Sequence, residues 1–234
     1  MTKTTIHPVQ AAILKVLSFK PQARFYELNA MGISNDHFTF HTKRLVELGI
    51  IVKTENGLYE LTNKGKEFAN RFDFDSKEIT YEKQAKLTVV VIGMKGEGTN
   101  AKYLVQQRLK QPYYGYYGFV SGKIKYGETV SEAALRELQE EAGVIGDLTL
   151  TGIEHKMDYD SNNRLLDEKY FFIFRVENLK GELKETFDGG RNLWCTKREV
   201  TQLPEIFDDV IELLEIVQSD RVEFIERKFN VKRF

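Results

Sequence analysis

Gly122-Lys123-Ile124-Lys125-Tyr126-Gly127-Glu128-Thr129-Val130-Ser131-Glu132-Ala133-Ala134-Leu135-Arg136-Glu137-Leu138-Gln139-Glu140-Glu141-Ala142-Gly143-Val144 is an acidic segment with a start signal and a stop signal for one helix. Thr129 followed three residues later by Glu132 is a capping box, which predicts a helix from about Val130. Gly143 is placed to end it as a left-handed residue. On a helical wheel Leu135, Leu138 and Ala142 gather toward a core. Glu137, Glu140 and Glu141 stand at i, i+3 and i+4 and gather on the opposite side. Three carboxylates so spaced repel one another by a few tenths of a kcal/mol per pair. A hard divalent cation with oxygen ligands, such as Mg²⁺, reverses that sign and keeps positions open for phosphate oxygens. The bland alternative is an amphipathic helix with a solvated acidic face.

The fixed register of Gly122, Glu128, Arg136-Glu137, Leu138, Glu140-Glu141, Gly143 and Val144 weighs against that alternative. At ordinary residue usage it arises by chance at a start position with a probability of roughly 10⁻⁸ or less. The run resembles the complete signature box of the Nudix hydrolases, which cleave nucleoside diphosphates linked to another moiety. The resemblance implies metal-assisted attack of water on a pyrophosphate, with Mg²⁺ or Mn²⁺ as cofactor. It assigns metal binding to Glu137, Glu140 and Glu141, a supporting role to Glu128, and to Arg136 the task of holding the acidic cluster. The carbonyl of Ser121 is a further metal ligand by the same likeness. Many members carry Gly-Gly where this chain reads Ser121-Gly122, and a serine still offers a carbonyl. The family often supplies a catalytic base from a loop after the box; Glu185 is the first expectation and Asp188 the second, although both also read as ordinary loop acids.

Outward from the box, Lys86–Met94, Tyr103–Leu109, Leu148–Met157 and Lys169–Val176 read as strands, and Pro204 opens a predicted helix from Glu205 to about Val217. The resemblance covers roughly residues 87–218 and implies an α/β/α sandwich with a mixed sheet. Just ahead of the box, Gln111–Gly118 is dense in tyrosine. Tyr114, Tyr117 and Arg108 are candidates for binding the base and phosphates of a nucleoside diphosphate-type substrate; packing of the rings on the sheet is the alternative.

Residues 1–75 have a different character. Helical spacing over Ile6–Phe19, a second short helix, a third from Ser34 or Asn35 to Leu48, and a hairpin around Asn56-Gly57 resemble a winged helix-turn-helix. The expected fold class is thus α+β: an N-terminal winged helix-turn-helix, a charged linker at 76–85, the sandwich at 86–219 and a tail at 220–234. A winged helix places its third helix in the DNA major groove, which makes His37, Thr39, His41, Thr42, Lys43 and Arg44 candidate contacts, with Lys53 on the wing. Residues 1–78 hold 11 Lys and Arg against 9 Asp and Glu, a difference of only +2. DNA binding, as in a transcriptional regulator that uses the second domain as a nucleotide-ligand sensor, and a dimerisation or docking role both stay open.

Net charge is −1, with 41% hydrophobic and 29% charged residues, so composition is globular and predicts no polyanion partner. A single cysteine, Cys195, excludes an internal disulfide and suits a reducing compartment; with no membrane-length apolar run and no signal segment, a cytoplasmic protein is expected. The tail carries Phe224, Ile225, Phe229 and Phe234 among basic residues, which suits packing on a neighbouring domain or on the second copy of a homodimer.

Overall fold

The computed structural model describes residues 6–70, 72–73, 80–81 and 84–231. The chain divides into two compact units, Met1–Lys83 and Gln84–Phe234. Much of the expected linker, 76–79 and 82–83, lies outside the described residues, as does Phe234. Among the described residues no helix is long and apolar enough to cross a membrane.

In the first unit, α1 (Pro8–Phe19) starts with Pro8 in its first turn and His7 as N-cap. The short α2 (Phe25–Leu28) and then α3 (Asn35–Glu47) follow. An antiparallel hairpin of β1 (Ile51–Lys53) and β2 (Tyr59–Leu61) turns at Gly57, whose φ of 76° an L side chain rarely adopts. A fourth helix, α4 (Asn63–Ala69), is capped by the Thr62 hydroxyl, which accepts from the Gly65 N–H at 3.0 Å. The core gathers Ile13, Leu14, Leu28, Phe38, Leu45 and Ile51, all essentially solvent-free.

Two expected DNA contacts, His41 and Thr42, are corrected here, both buried. Phe38, His41, Thr42 and Leu45 form the inward stripe of α3 at i, i+3, i+4 and i+7, so His41 is buried at 4% exposure. Its ring stacks on His7 with centroids 4.1 Å apart, and its Nε2 lies 3.2 Å from His37 Nε2. It has no path to a base edge. Lys43, Arg44 and Lys53 are exposed.

After β3 (Phe72–Asp73) and β4 (Thr80–Tyr81), the second unit is built on β5 (Lys86–Lys95), β6 (Lys102–Arg108), β7 (Tyr117–Gly118), β8 (Val120–Lys123), β9 (Val144–Tyr159), β10 (Leu165–Gly181), β11 (Thr186–Phe187), β12 (Gly190–Thr196) and β13 (Glu223–Asn230). The main path of the sheet runs β11-β12-β6-β5-β10-β9-β13, with β7 paired to β6 and β8 to β5. It is mixed: β10 lies parallel to β5 and β13 parallel to β9, while the other pairs are antiparallel.

Alternation along β5 explains the layering. Val90 and Ile92 point to a core shared with α7 (Val210–Ile216), and Val89 and Val91 to one shared with α5 (Val130–Glu137). A strand apolar on both faces needs a helix on each side, and the result is an α/β/α sandwich. Each fully buried aliphatic side chain contributes about 1.5–3 kcal/mol of transfer free energy.

Two expectations change. The helix predicted from Glu205 begins at Val210. Ahead of it the chain runs beside Tyr117, whose N–H donates to the Glu205 carbonyl at 2.6 Å and whose carbonyl accepts from Phe207 at 3.1 Å. The stretch read as a tail supplies β13, which pairs with β9 from Glu223↔Gly152 to Asn230↔Tyr159. Between β12 and α7, Lys197–Val200 form the short α6 under a Thr196–Glu199 capping box.

Candidate active site

The acidic segment begins on the sheet. Val120, Ser121, Gly122 and Lys123 pair with Val91, Val90, Val89 and Thr88 of β5, so Gly122 is fixed against the central strand. A Cβ on Gly122 would lie 1.9 Å from the Glu137 Cδ, which explains the glycine: the Glu137 carboxylate occupies that space. Thr129 caps α5 with both hydrogen bonds of its capping box present. After Glu137 the helix widens into a π-helical turn, Leu138–Ala142, ended by Gly143 at φ 74°. Such turns are uncommon and concentrate at functional sites.

The π-turn changes the expected carboxylate trio. Glu137 and Glu141 line one cavity of about 640 Å³ together with Ser121 and Gly122. The Glu140 side chain stays 54% exposed, 3.2 Å from Arg136 and 3.8 Å from Lys125. Among the described residues no three His, Cys, Asp or Glu side chains converge on a common metal position.

Arg136 is the hub of the acidic cluster. Its Nε and Nη2 donate to the two oxygens of Glu128 at 2.5 and 2.9 Å, and its Nη1 donates to Glu137 at 2.6 Å and to Glu140 at 3.2 Å. The Arg136 hydrogen bonds, followed by the Lys125 backbone N–H, hold the Glu128 carboxyl down at about 2. Burial raises the proton affinity of Glu141, and the like charge of Glu137 adds to it. Two carboxylates on a cavity wall are hard oxygen donors and fit Mg²⁺ or Mn²⁺, which bind through one or two carboxylates and keep waters.

Other candidates fall differently. Arg108 lines the cavity, but its guanidinium is held by the carbonyls of Lys110, Gln111 and Pro112 at 3.1, 3.2 and 2.6 Å. Tyr114 is 47% exposed and Tyr117 is buried in the core; neither lines the cavity, whereas Tyr113 does. Glu185 and Asp188 are exposed and outside its walls, so the structure does not bring the expected base to the site. The Glu185 carbonyl instead accepts from the Asn192 N–H at 2.8 Å, and the Asn192 amide also donates to the Glu141 and Lys184 carbonyls, tying that loop to the end of the π-turn.

Sequence reasoning missed a buried polar wall. Lys156 and Asp209 pair at 2.6 Å, Asp167 accepts from Lys86 at 2.6 Å and Lys169 at 2.7 Å, and the Tyr113 hydroxyl donates to Asp158 at 2.5 Å. All seven residues line the cavity. The signal was the alternation Glu154, Lys156, Asp158 on one face of β9, where polar residues stand at inward positions.

Fold and site together define a domain of the Nudix class. The NUDIX domain model matches residues 83–215, more than half of the chain, and the chain belongs to that family. The ADP-ribose pyrophosphatase of Methanocaldococcus jannaschii is 32% identical over 84 residues, covering 36% of this chain and 47% of that protein. The match thus spans about half the length of that relative. The oxidized purine nucleoside triphosphate hydrolase of Danio rerio is 30% identical over 149 residues, covering 63% of this chain and 84% of the relative. Among solved structures, the mutator MutT protein of Bacillus halodurans shares the fold with a TM-score of 0.53 and 23% identity, over 64% of this chain and 93% of that one. The NUDIX domain of Shewanella oneidensis NrtR, solved with ADP-ribose, gives a TM-score of 0.51 and 19% identity, over 68% and 97%.

Proposed function

We propose that this protein is a Mg²⁺-dependent pyrophosphohydrolase acting on a nucleoside diphosphate derivative, with Mn²⁺ as an alternative ion. The observation that carries this reading is that Glu137 and Glu141 line one cavity together with the exposed Lys110, Lys123 and Lys125. Carboxylates to hold a cation beside solvent-exposed ammonium groups suit a polyphosphate chain. The names of the curated relatives, which act on ADP-ribose, oxidised purine nucleoside triphosphates and 8-oxo-dGTP, support the reaction class.

Glu137 and Glu141 hold the ion, joined by the Ser121 carbonyl. A bound divalent cation draws charge from the phosphate oxygens and acidifies a water. Arg136, anchored on Glu128, fixes the Glu137 carboxylate against Gly122. Lys110, Lys123 and Lys125 offset charge on the phosphates. The test is Mg²⁺-dependent turnover across ADP-ribose, NADH, dinucleoside polyphosphates, nucleotide sugars and normal or oxidised nucleoside triphosphates. Turnover of one class that is lost in Glu141→Gln supports the reading; silence across the panel overturns it.

The first three helices and the hairpin of the first unit are read as a winged helix, with Lys43 and Arg44 on α3 and Lys53 on β1 facing duplex DNA. Their exposure supports this. Salt-dependent DNA binding that weakens in a Lys43→Ala, Arg44→Ala double variant is the expected result, and no binding at low salt removes the idea.

A further inference from the structure

The acidic helix is held at its C-terminal end from outside. A helix has no internal partners for its last four carbonyls. Here they belong to Gln139, Glu140, Glu141 and Ala142, and two residues that follow β10 take up all four. The Lys184 ammonium donates to the Glu140 carbonyl at 3.0 Å and reaches the Gln139 carbonyl at 3.5 Å. The Asn192 side-chain amide donates to the Glu141 carbonyl at 2.8 Å, and the Lys184 N–H donates to the Ala142 carbonyl at 2.9 Å. A cation at this end also complements the helix dipole.

The two residues are locked to each other and to the sheet. The Asn192 amide also donates to the Lys184 carbonyl at 2.6 Å. Asn192 is 7% exposed and stands opposite Gln106 in the β12–β6 ladder. Gly143 leaves room for the arrangement: a Cβ there would lie 2.8 Å from the Glu182 carbonyl oxygen and 2.9 Å from Lys184 Cγ. The lysine stem thus crosses the point where the helix ends. The turn it crosses is π-helical, Leu138–Ala142, and such turns are rare against the favoured α register. More residues per turn means less rotation per residue. Glu140, three positions after Glu137, is therefore swung farther from it than an α-helix would place it, while Glu141, four positions on, keeps to the side of Glu137. Glu141 accordingly lines the cavity and the Glu140 side chain is 54% exposed.

We infer that Lys184 and Asn192 are positioning residues for the ion-holding carboxylates: they keep Leu138–Ala142 in its wide turn and so aim Glu141 into the cavity. Neither residue lines the cavity, so both act through the backbone of the turn. Groups that fix a metal ligand from behind contribute to metal affinity without touching the ion. The inference rests on the proposed assignment of Glu137 and Glu141 to a divalent cation, and it adds to that assignment the groups that set its geometry.

The test measures Mn²⁺ dissociation constants on the full chain by electron paramagnetic resonance of the free ion, with no substrate present. Asn192→Leu keeps the size of the side chain and removes its donors; Lys184→Met keeps the stem and removes the ammonium. Both are expected to weaken Mn²⁺ binding by about 10- to 100-fold, the range found for groups that orient metal ligands. Lys184→Arg restores donors and stays within three-fold of wild type. A purely structural role would lower the unfolding midpoint and leave the affinity of the folded protein unchanged. Lys184 is exposed, so its variants carry the test even where Asn192→Leu fails to fold. Mn²⁺ affinity within two-fold of wild type in Lys184→Met or in folded Asn192→Leu overturns the inference, and so does a loss in Lys184→Met that Lys184→Arg does not rescue. Clamp-dependent Mn²⁺ binding without hydrolysis of any substrate overturns the enzymatic reading and leaves the positioning role standing. Hydrolysis with Mn²⁺ binding indifferent to both residues does the reverse.

Discussion

Arg136 and Glu128, eight residues apart, form a two-pronged ion pair in which Nε and Nη2 each meet one carboxylate oxygen, at 2.5 and 2.9 Å. The same guanidinium holds Glu137 through its remaining nitrogen, so the pair sets the direction of a cavity carboxylate. Replacing the fork by a point charge loses that geometry. Arg136→Lys is expected to lower kcat by about 10- to 100-fold, the range found for groups that orient metal ligands, with little change in KM. Turnover within two-fold of wild type would sink this account.

The pair also has a pH signature. The Glu128 carboxyl is held down at about 2, below its ordinary 4.5. A depressed carboxyl contributes stability that is present above the unfolded value and is lost as pH falls through the folded one. Wild-type stability therefore declines between pH 4.5 and 2, and this decline is smaller in Arg136→Leu, where only the Lys125 N–H and charge still hold Glu128 down. Urea melts of both proteins at pH 5 and pH 3 measure the difference.

Gly122→Ala tests the close approach of strand and helix. The added Cβ would stand 1.9 Å from the Glu137 Cδ, and a carboxylate already held by Arg136 has to move. The φ of Gly122 lies outside the left-handed region, so the fold itself tolerates alanine. The expected result is a loss of more than 100-fold in turnover with an unfolding midpoint close to wild type. A variant that unfolds instead would assign the glycine to stability.

The capped start of α5, its stop at Gly143 and the apolar run of β5 were legible in the sequence because each follows a local rule of capping or composition, whereas Leu135, expected to face a core, is 36% exposed. The π-turn was not, since an α-helical wheel places Glu137, Glu140 and Glu141 together and nothing in Leu138–Ala142 announces the wider pitch. Tyr117 was misplaced for a different reason: whether a tyrosine faces a cavity or a core depends on the partner of its strand, here β6, which is distant in sequence. His41 was legible after all, from its place in the Phe38–Leu45 stripe. The buried wall depends on β9, α7 and the Tyr113 loop meeting in space, which no single segment encodes.

Glu141 and Glu185 divide the two sources of catalytic carboxylate. Glu141 lines the cavity and Glu185 is exposed outside it. Glu141→Gln is expected to reduce kcat by 100-fold or more, and Glu185→Gln by less than three-fold. The reverse order would mean that the loop closes onto the substrate during turnover and would restore Glu185 as the base.

Glu154 offers a prediction about stability alone. It is solvent-free, neither of its oxygens has a hydrogen-bond partner among the described residues, and it is outside the cavity lining. Burial, with Asp209 next and Glu212 and Asp158 adding to it against Lys156, pushes its carboxyl up to about 8 from 4.5. Below pH 4.5 the group is protonated in both states and adds no pH dependence. Between 4.5 and about 8 the unfolded chain releases a proton that the folded chain keeps, so stability falls as pH rises and levels off above 8. Glu154→Gln removes the ionisation while keeping the shape. It is expected to flatten this slope and to raise stability at pH 8 by about 1–3 kcal/mol relative to pH 5, on the scale of an unsatisfied buried polar group. Urea denaturation of both proteins at the two pH values gives the comparison, and parallel slopes would show that the wild-type carboxyl is already ionised in a hydrated environment.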